Sequence, residues 1–187
     1  MPESFSAIVL AGGTGTRLGG VDKAAVEHDG STLLEHCLAA LTDAVEVVVV
    51  GPEVPTSRPV TFTLEDPAGG GPAAGLLAGR DALAELPRAL AVLAVDMPYV
   101  DVVTFRRLRA AWDDRPGAAG AFLVDGAGRR QLAGVLDPAR LASPKERRHL
   151  PMHVLLAGLD LVPVPAVDRE ATDIDTWADV RDLRSGP

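Results

Sequence analysis

Cysteine, aromatic side chains and positive charge are all scarce in this chain of 187 residues. Its single cysteine, Cys37, excludes a disulfide framework and a zinc cluster built from cysteines. Lysine and arginine number 18 against 26 aspartates and glutamates, and the net charge of −8 argues against a general nucleic-acid binder. No apolar stretch is long enough to span a bilayer, and the N-terminus has no basic region followed by an apolar one. These absences predict a soluble, cytoplasmic protein without a nucleic-acid or membrane partner.

The apolar residues that are present are mostly aliphatic. Hydrophobic residues make up 47% of the chain and aromatic ones only 4%, so valine, leucine and alanine must build the core. This composition suits parallel strands that are buried on both faces. Because domains commonly hold about 100–200 residues, we expect one domain with a full core over residues 1–187.

Short apolar runs alternate with helical patterns, which is typical of βαβ units. Strands are predicted at about 5–10, 45–50, 60–64, 89–95, 118–124, 131–136 and 159–164. Helices are predicted after a capping box at Thr32 and Glu35, from Ala73 to about Leu86, after Asp101, and after Thr176. The turn-rich segment at 125–128 joins two of the strands into a hairpin. The sequence therefore predicts an α/β fold with a mostly parallel central sheet, helices on both faces and a small antiparallel excursion.

The most informative stretch is an apolar strand that runs into a glycine-rich loop ending on Lys23. Glycines at 12, 13 and 15 let backbone N–H groups turn toward a phosphate without obstruction by a Cβ. Arg17 and Lys23 add positive charge beside them. The loop predicts a nucleoside triphosphate site.

Two better-known phosphate loops do not fit this stretch. A P-loop ends in Gly-Lys-Ser/Thr, whereas Lys23 follows an aspartate and precedes an alanine. The dinucleotide fingerprint places its third glycine at position 18, where this chain has leucine. The loop is therefore longer and differently shaped.

Asp96 follows directly after the apolar run at 89–95. A carboxylate at the carboxyl end of a central parallel strand projects into the crevice where open α/β sheets bind ligands. Magnesium needs only one or two protein carboxylates, because it also binds phosphate oxygens and water. We expect Asp96 to hold Mg²⁺ against the triphosphate; the alternative is that it only opens a turn before Pro98.

Two further acidic segments could meet a ligand. Asp66, which is followed by three glycines at 69–71, is a candidate to accept hydrogen bonds from the N1–H and the exocyclic amine of guanine, although Asp66-Pro67 could also be an ordinary turn. Asp173 and Asp175 face the same way if their segment is extended, so Asp175 could reach the metal. Capping of the last helix by Thr176 is the alternative explanation for that motif.

The pattern Leu-Ala-Gly-Gly-x-Gly-x-Arg-x-Gly-x(2)-Asp-Lys at 10–23 resembles the signature of nucleotidyltransferases that share a Rossmann-like α/β domain. Within that group, the segment 19–23 is most similar to the molybdenum cofactor guanylyltransferases. The segment Gly-Pro-Ala-Ala-Gly at 71–75 resembles a Gly-Pro-Leu-Ala-Gly-like motif of the same family. The resemblance extends over nearly the whole chain and implies a single Rossmann-like nucleotidyltransferase domain.

This resemblance implies an enzyme that joins the GMP part of GTP to the phosphate of a molybdopterin-type molybdenum cofactor and releases pyrophosphate. Its substrates would be GTP and the molybdopterin cofactor, its metal Mg²⁺, and transient contact with molybdenum cofactor enzymes is compatible with that role. The residues that carry it would be Arg17 and Lys23 on the triphosphate, Asp96 on the metal with Asp175 as a second candidate, Leu10, Ala11, Gly12 and Gly13 on the nucleotide, and Asp66 on the base.

Two departures from the family pattern keep alternatives open. The guanylyltransferases tend to carry an asparagine after the second strand, where this chain has Val50-Gly51-Pro52, so a related cytidylyltransferase or another NTP transferase of this fold remains an alternative. The terminal Asn-x-Asn-Thr-Pro-like segment is replaced by Asp173, Asp175 and Trp177. A non-catalytic nucleotide-binding module is less favoured, because both Lys23 and Asp96 are present.

Overall fold

The computed structural model of the protein describes residues 4–12, 22–66 and 68–174. Within these ranges the chain forms nine strands and four α-helices. The strands are β1 Ser6–Leu10, β2 Glu27–His28, β3 Ser31–Thr32, β4 Glu46–Val50, β5 Thr61–Thr63, β6 Leu90–Ala94, β7 Gly120–Val124, β8 Arg130–Leu136 and β9 Leu161–Pro165. The helices are α1 Leu33–Ala40, α2 Pro72–Asp81, α3 Val102–Asp113 and α4 Met152–Leu155.

Seven strands form one sheet in the order β5-β4-β1-β6-β8-β7-β9. Only β8 runs antiparallel to its two neighbours, and every other pair in this sheet is parallel. Strands β2 and β3 form a separate antiparallel ribbon. The predicted fold class is confirmed, and the predicted hairpin of β7 and β8 supplies the antiparallel excursion by placing β8 between β6 and β7.

Helices cover both faces of the sheet because side chains alternate along its strands. On β1, Ala7 and Val9 pack into the cluster that contains α1 and α3. Ile8 and Leu10 pack into the cluster that contains α2. All five residues of β1 are buried, which explains why its sequence after Ser6 is a continuous apolar run instead of an alternating one.

Helix α2 packs unusually close to the sheet through two glycines. A Cβ at Gly79 would lie 2.8 Å from Ile8 Cγ2, and one at Gly75 would lie 3.3 Å from Leu10 Cδ2. Because Gly75 precedes Gly79 while Ile8 precedes Leu10, the helix runs antiparallel to β1. The N-terminus of α2 therefore lies at the carboxyl end of β1.

Some predicted boundaries differ from the structure. Helix α2 ends at Asp81 and does not continue to Leu86, and the Ala84 N–H donates instead to Glu46 Oε1 at 3.0 Å. The capping box of α1 is half formed: Thr32 Oγ1 accepts the Glu35 N–H at 3.2 Å, but the Glu35 carboxylate accepts both hydrogen bonds from Ser57.

The helix that begins at Thr176 lies outside the described residues, and the single domain over 1–187 stays a prediction. No helix in the described ranges is both long and apolar enough to cross a membrane.

Candidate functional site

A cavity of about 220 Å³ opens where the central parallel strands end. Its walls come from the carboxyl ends of β1, β4 and β6, the N-terminus of α2, the segment before α2, and β8. The lining residues are Leu10, Gly12, Val50, Glu65, Gly71, Pro72, Gly75, Ala94, Asp96 and Leu132. This is the edge at which open α/β sheets bind ligands.

Lys23 and Asp96 meet at this edge although they are 73 residues apart in the chain. Lys23 Nζ donates to Asp96 Oδ2 at 2.9 Å, and the two side chains are 19% and 25% exposed. Lys23 begins a short 3₁₀ turn that is capped by Asp22, whose Oδ1 accepts the Ala24 N–H at 3.0 Å. The end of the glycine-rich loop and the end of β6 are thus brought together, as the sequence predicts.

The segment before the predicted metal residue Asp175 also reaches Asp96. The Ile174 N–H donates to the backbone carbonyl of Asp96 at 2.9 Å, and Ile174 is fully buried. Asp173 is exposed. Asp175 itself lies outside the described residues, so its role stays a prediction.

Of the residues predicted to contact the nucleotide, Leu10 and Gly12 line the cavity. Ala11 is buried beside it, and its N–H donates to the Val50 carbonyl at 2.9 Å. A Cβ at Gly51 would lie 3.1 Å from Ala11 Cβ, so the loops after β1 and β4 approach closely at a position where a larger residue is crowded. Gly13 and Arg17 lie outside the described residues.

The acidic pair at 65–66 is divided between the cavity and the surface. Glu65 lines the cavity, whereas Asp66 is exposed and does not belong to its lining. Glu65 Oε1 accepts the Gly69 N–H and Glu65 Oε2 accepts the Gly71 N–H, each at 2.9 Å. Glu65 is not among the residues predicted from the sequence, where the only signal for it is its place as the first member of the acidic pair. The base-reading role of Asp66 stays a prediction.

Cys37 lies buried behind this edge. Its Sγ is 3.9 Å from the carbonyl oxygens of Ala94 and Val95. Burial, and to a smaller degree the charge of Asp96, raise the pKa of the thiol far above its ordinary value. The thiol therefore stays protonated and packs as a small apolar group.

The fold and this edge define a class of proteins, the α/β proteins whose ligand cavity lies at the ends of parallel strands and carries a paired lysine and aspartate. The family can be stated as well. The model of the MobA-like NTP transferase domain matches residues 7–164, and the chain belongs to that family.

Curated relatives agree with this family. A molybdenum cofactor guanylyltransferase of Acidiphilium cryptum is 41% identical over 111 residues, which cover 56% of this chain and 57% of that protein. A probable molybdenum cofactor guanylyltransferase of Opitutus terrae is 34% identical over 150 residues, or 78% of this chain and 72% of that protein. The chain spans 57% to 63% of the length of the first curated relatives that it matches.

Solved structures share the fold at low identity. Rv0371c from Mycobacterium tuberculosis has a TM-score of 0.74 at 17% identity over 100% of both chains. Molybdopterin-guanine dinucleotide biosynthesis protein A from Archaeoglobus fulgidus has a TM-score of 0.72 at 21% identity, covering 96% of this chain and 97% of that one. A 2-C-methyl-D-erythritol 4-phosphate cytidylyltransferase from Thermus thermophilus has a TM-score of 0.65 at 21% identity, covering 95% and 96%.

Proposed function

We propose that this protein transfers the GMP part of GTP to the phosphate of a molybdopterin-type molybdenum cofactor and releases pyrophosphate. The observation that carries the proposal is the Lys23–Asp96 pair at the edge of the strand-end cavity. It provides a cation for the triphosphate and a carboxylate for a metal within one hydrogen bond of each other. The names of the curated relatives favour GTP over CTP as the donor.

The reaction needs no covalent help from the protein. An oxygen of the acceptor phosphate attacks the α-phosphorus of GTP, the bond between the α-phosphorus and its bridging oxygen breaks, and pyrophosphate leaves with that electron pair. Among the described residues, the cavity lining contains no serine, cysteine or histidine that could act as a nucleophile. Positioning of the two substrates and neutralisation of charge would therefore provide the acceleration.

Asp96 has the properties of a magnesium ligand. Its carboxylate lines the cavity and is partly exposed. The described residues hold no group of three or more His, Cys, Asp or Glu side chains that could bind a metal by themselves. Mg²⁺ does not require such a group, because one or two carboxylates suffice when substrate phosphates complete its shell. Bound there, Mg²⁺ would neutralise charge on the triphosphate.

Lys23 neutralises the charge of Asp96 through their ion pair. When a triphosphate enters, the ammonium group can donate to phosphate oxygens and leave the carboxylate to the metal. Arg17 and Asp175 are further candidates for the phosphate and the metal. Asp175 is supported by its neighbour Ile174, whose N–H is bonded to the carbonyl of Asp96.

The donor base can be determined by binding. Melting temperatures measured with Mg²⁺ and each of GTP, CTP, ATP and UTP should rise most with GTP, because a ligand that binds only the folded state stabilises it. A wild-type protein that CTP stabilises and GTP does not would overturn the guanylyl assignment and favour the cytidylyl alternative.

Turnover then tests the transfer itself. With GTP, Mg²⁺ and molybdopterin-type cofactor, pyrophosphate should appear in step with the dinucleotide product, and omission of the cofactor should abolish both. Stabilisation by GTP without any pyrophosphate release would support a non-catalytic nucleotide-binding module instead.

A further inference from the structure

Glu65 bridges two backbone positions in the segment that leads into α2. Its two carboxylate oxygens accept one hydrogen bond each, from the N–H groups of Gly69 and Gly71 at 2.9 Å. Both glycines have positive φ values, +71° and +88°. Glycine tolerates this conformation but does not enforce it, so the carboxylate is what fixes the segment in one shape.

The same bridge completes the start of α2. Gly71 is the N-cap residue and has no side chain to accept a hydrogen bond from the first turn. The Glu65 carboxylate lies instead at this helix end, where the partial positive charge of the helix favours an anion. Gly71, Pro72 and Gly75 line the cavity, so the position of this wall depends on Glu65.

The distribution of charge around the cavity indicates where the triphosphate and the base of a nucleotide would lie. Lys23 and Asp96 form the end that suits a triphosphate with its metal. The Glu65 carboxylate would repel a triphosphate, and apart from Glu65 and Asp96 the lining residues are all apolar or glycine, among them Leu10, Val50 and Pro72. A flat, uncharged ring suits this part of the cavity, with polar groups of the segment 69–71 at its edge.

We infer that Glu65 is a positioning residue for nucleobase selectivity: it holds residues 69–71 in the shape that meets the edge of the base. The inference rests on the proposed function, because it takes the cavity as an NTP site. Glu65 acts through the glycine segment, since each of its oxygens is already engaged with a backbone N–H.

The test compares Glu65→Gln with Glu85→Gln, an exposed carboxylate beyond the end of α2. The glutamine at 65 turns one acceptor into a donor that faces a backbone N–H, so one hydrogen bond is lost. Affinities for GTP, ATP, CTP and inorganic tripolyphosphate are measured by calorimetry with Mg²⁺. In Glu65→Gln, GTP binding should weaken about tenfold and the preference among the three nucleotides should narrow, because one lost hydrogen bond is worth about that factor. Tripolyphosphate affinity should stay within about twofold, since the probe has no base.

Kinetics and hydrogen exchange separate positioning from general destabilisation. The KM for GTP should rise while kcat at saturating GTP is nearly retained, and the amides of Gly69 and Gly71 should exchange faster than in the wild type. If Glu65→Gln does not fold, Glu65→Asp replaces it, because the shorter side chain cannot reach both glycines.

Three results in Glu65→Gln would each overturn the role of Glu65. They are an unchanged preference among the nucleotides, a loss of tripolyphosphate affinity equal to the loss of GTP affinity, and unchanged amide hydrogen exchange at Gly69 and Gly71. A wild type that prefers CTP overturns the guanylyl assignment alone, and the Glu65 variant is then judged on the CTP preference. A wild type that binds no nucleotide overturns both.

Discussion

A small cavity lies where the central strands end, and a larger groove lies where two of them begin. The two differ in whether a carboxylate stands at the end of a buried strand. The groove encloses about 880 Å³ between α3 and the segments that lead into β1 and β4. Its Arg106 is bonded to Asp43 at 2.9 Å, and the Arg109 guanidinium lies 5.1 Å from the Phe5 ring centroid. The strand-end cavity holds about 220 Å³, and its lining includes Asp96, which is paired with Lys23.

The larger volume belongs to the feature that lacks the Lys23–Asp96 pair. The groove has no carboxylate at the end of a buried strand, whereas the cavity has Asp96 there, beside the N-terminus of a helix. Parallel topology makes this difference, because it brings the ends of β1, β4 and β6 to one edge, together with the loops that follow them. Variants placed in each feature should therefore have very different effects.

The largest difference in turnover is expected between the variants Asp96→Asn and Asp43→Asn. The first keeps the side-chain volume but removes the charge that would hold Mg²⁺, so turnover should fall roughly 100- to 1,000-fold while GTP affinity changes much less. Asp43→Asn, in the groove, should stay within about twofold of the wild type, because exposed ion pairs are worth little. Steady-state pyrophosphate release over a Mg²⁺ titration measures both. A wild-type Mg²⁺ dependence in Asp96→Asn would reduce Asp96 to a turn residue.

Lys23→Ala should have the next largest effect, with Arg106→Ala as the matched cation from the groove. Loss of a cation on the triphosphate should lower turnover about 100-fold, since single charge-stabilising donors contribute on that scale. The melting temperature should barely move, because the lysine lies on a turn and not in the aliphatic core. Unchanged pyrophosphate release from folded Lys23→Ala protein would remove this residue from the mechanism.

The sequence was sufficient to predict one triphosphate site for Lys23 and Asp96, because Lys23 ends the glycine-rich loop after one apolar strand and Asp96 directly follows another. It was not sufficient to choose between Glu65 and Asp66. Side chains alternate along an extended segment, so a shift of one residue where β5 ends at Thr63 exchanges the carboxylate that faces the cavity and the one that faces solvent.

Long-range contacts account for the other differences. Residues 82–86 favour a helix by propensity, yet the Ala84 N–H is bonded to Glu46 on a distant strand, and α2 ends at Asp81. The hairpin of β7 and β8 follows from its turn, but the insertion of β8 beside β6 depends on pairing between residues far apart in the chain. Local patterns contain no information about that choice.

The close packing of α2 against β1, which forms part of the cavity wall, can be tested without any change to the charged groups of the cavity. In Gly79→Ala the new methyl would lie 2.8 Å from Ile8 Cγ2, in a buried contact that must shift. Alanine is the better helix former, so part of the cost is recovered, and we expect a net destabilisation of about 1–2 kcal/mol. Gly158→Ala is the control, because a Cβ there meets nothing within 4 Å. Urea unfolding compares the two; equal stabilities would show that α2 can move away from β1 at little cost.

The smallest effect is expected for two ion pairs made by neighbouring arginines of α3, one partly buried and one exposed. Arg107 binds Glu170 at 2.5 Å with side chains 32% and 10% exposed, whereas the Arg106–Asp43 side chains are 65% and 45% exposed. Burial alone would raise the pKa of Glu170, but hydrogen bonds from Arg107, Thr104 and the Val167 N–H outweigh it and lower that pKa. A carboxyl group whose pKa is lower in the folded state stabilises the fold above its ordinary value of 4.5 and loses that contribution as the pH falls through the folded pKa.

Glu170→Gln should therefore cost about 1 kcal/mol at neutral pH, and Asp43→Asn less than about 0.5 kcal/mol. The difference between the wild type and Glu170→Gln should shrink as the pH is lowered from about 5 to about 3, because protonation removes the charge from the wild-type glutamate as well. Urea unfolding at several pH values measures this difference. If the cost of Glu170→Gln does not change over that range, the side chain contributes through its packing and its neutral hydrogen bonds. The charge of the partly buried pair then adds no more stability than that of the exposed pair.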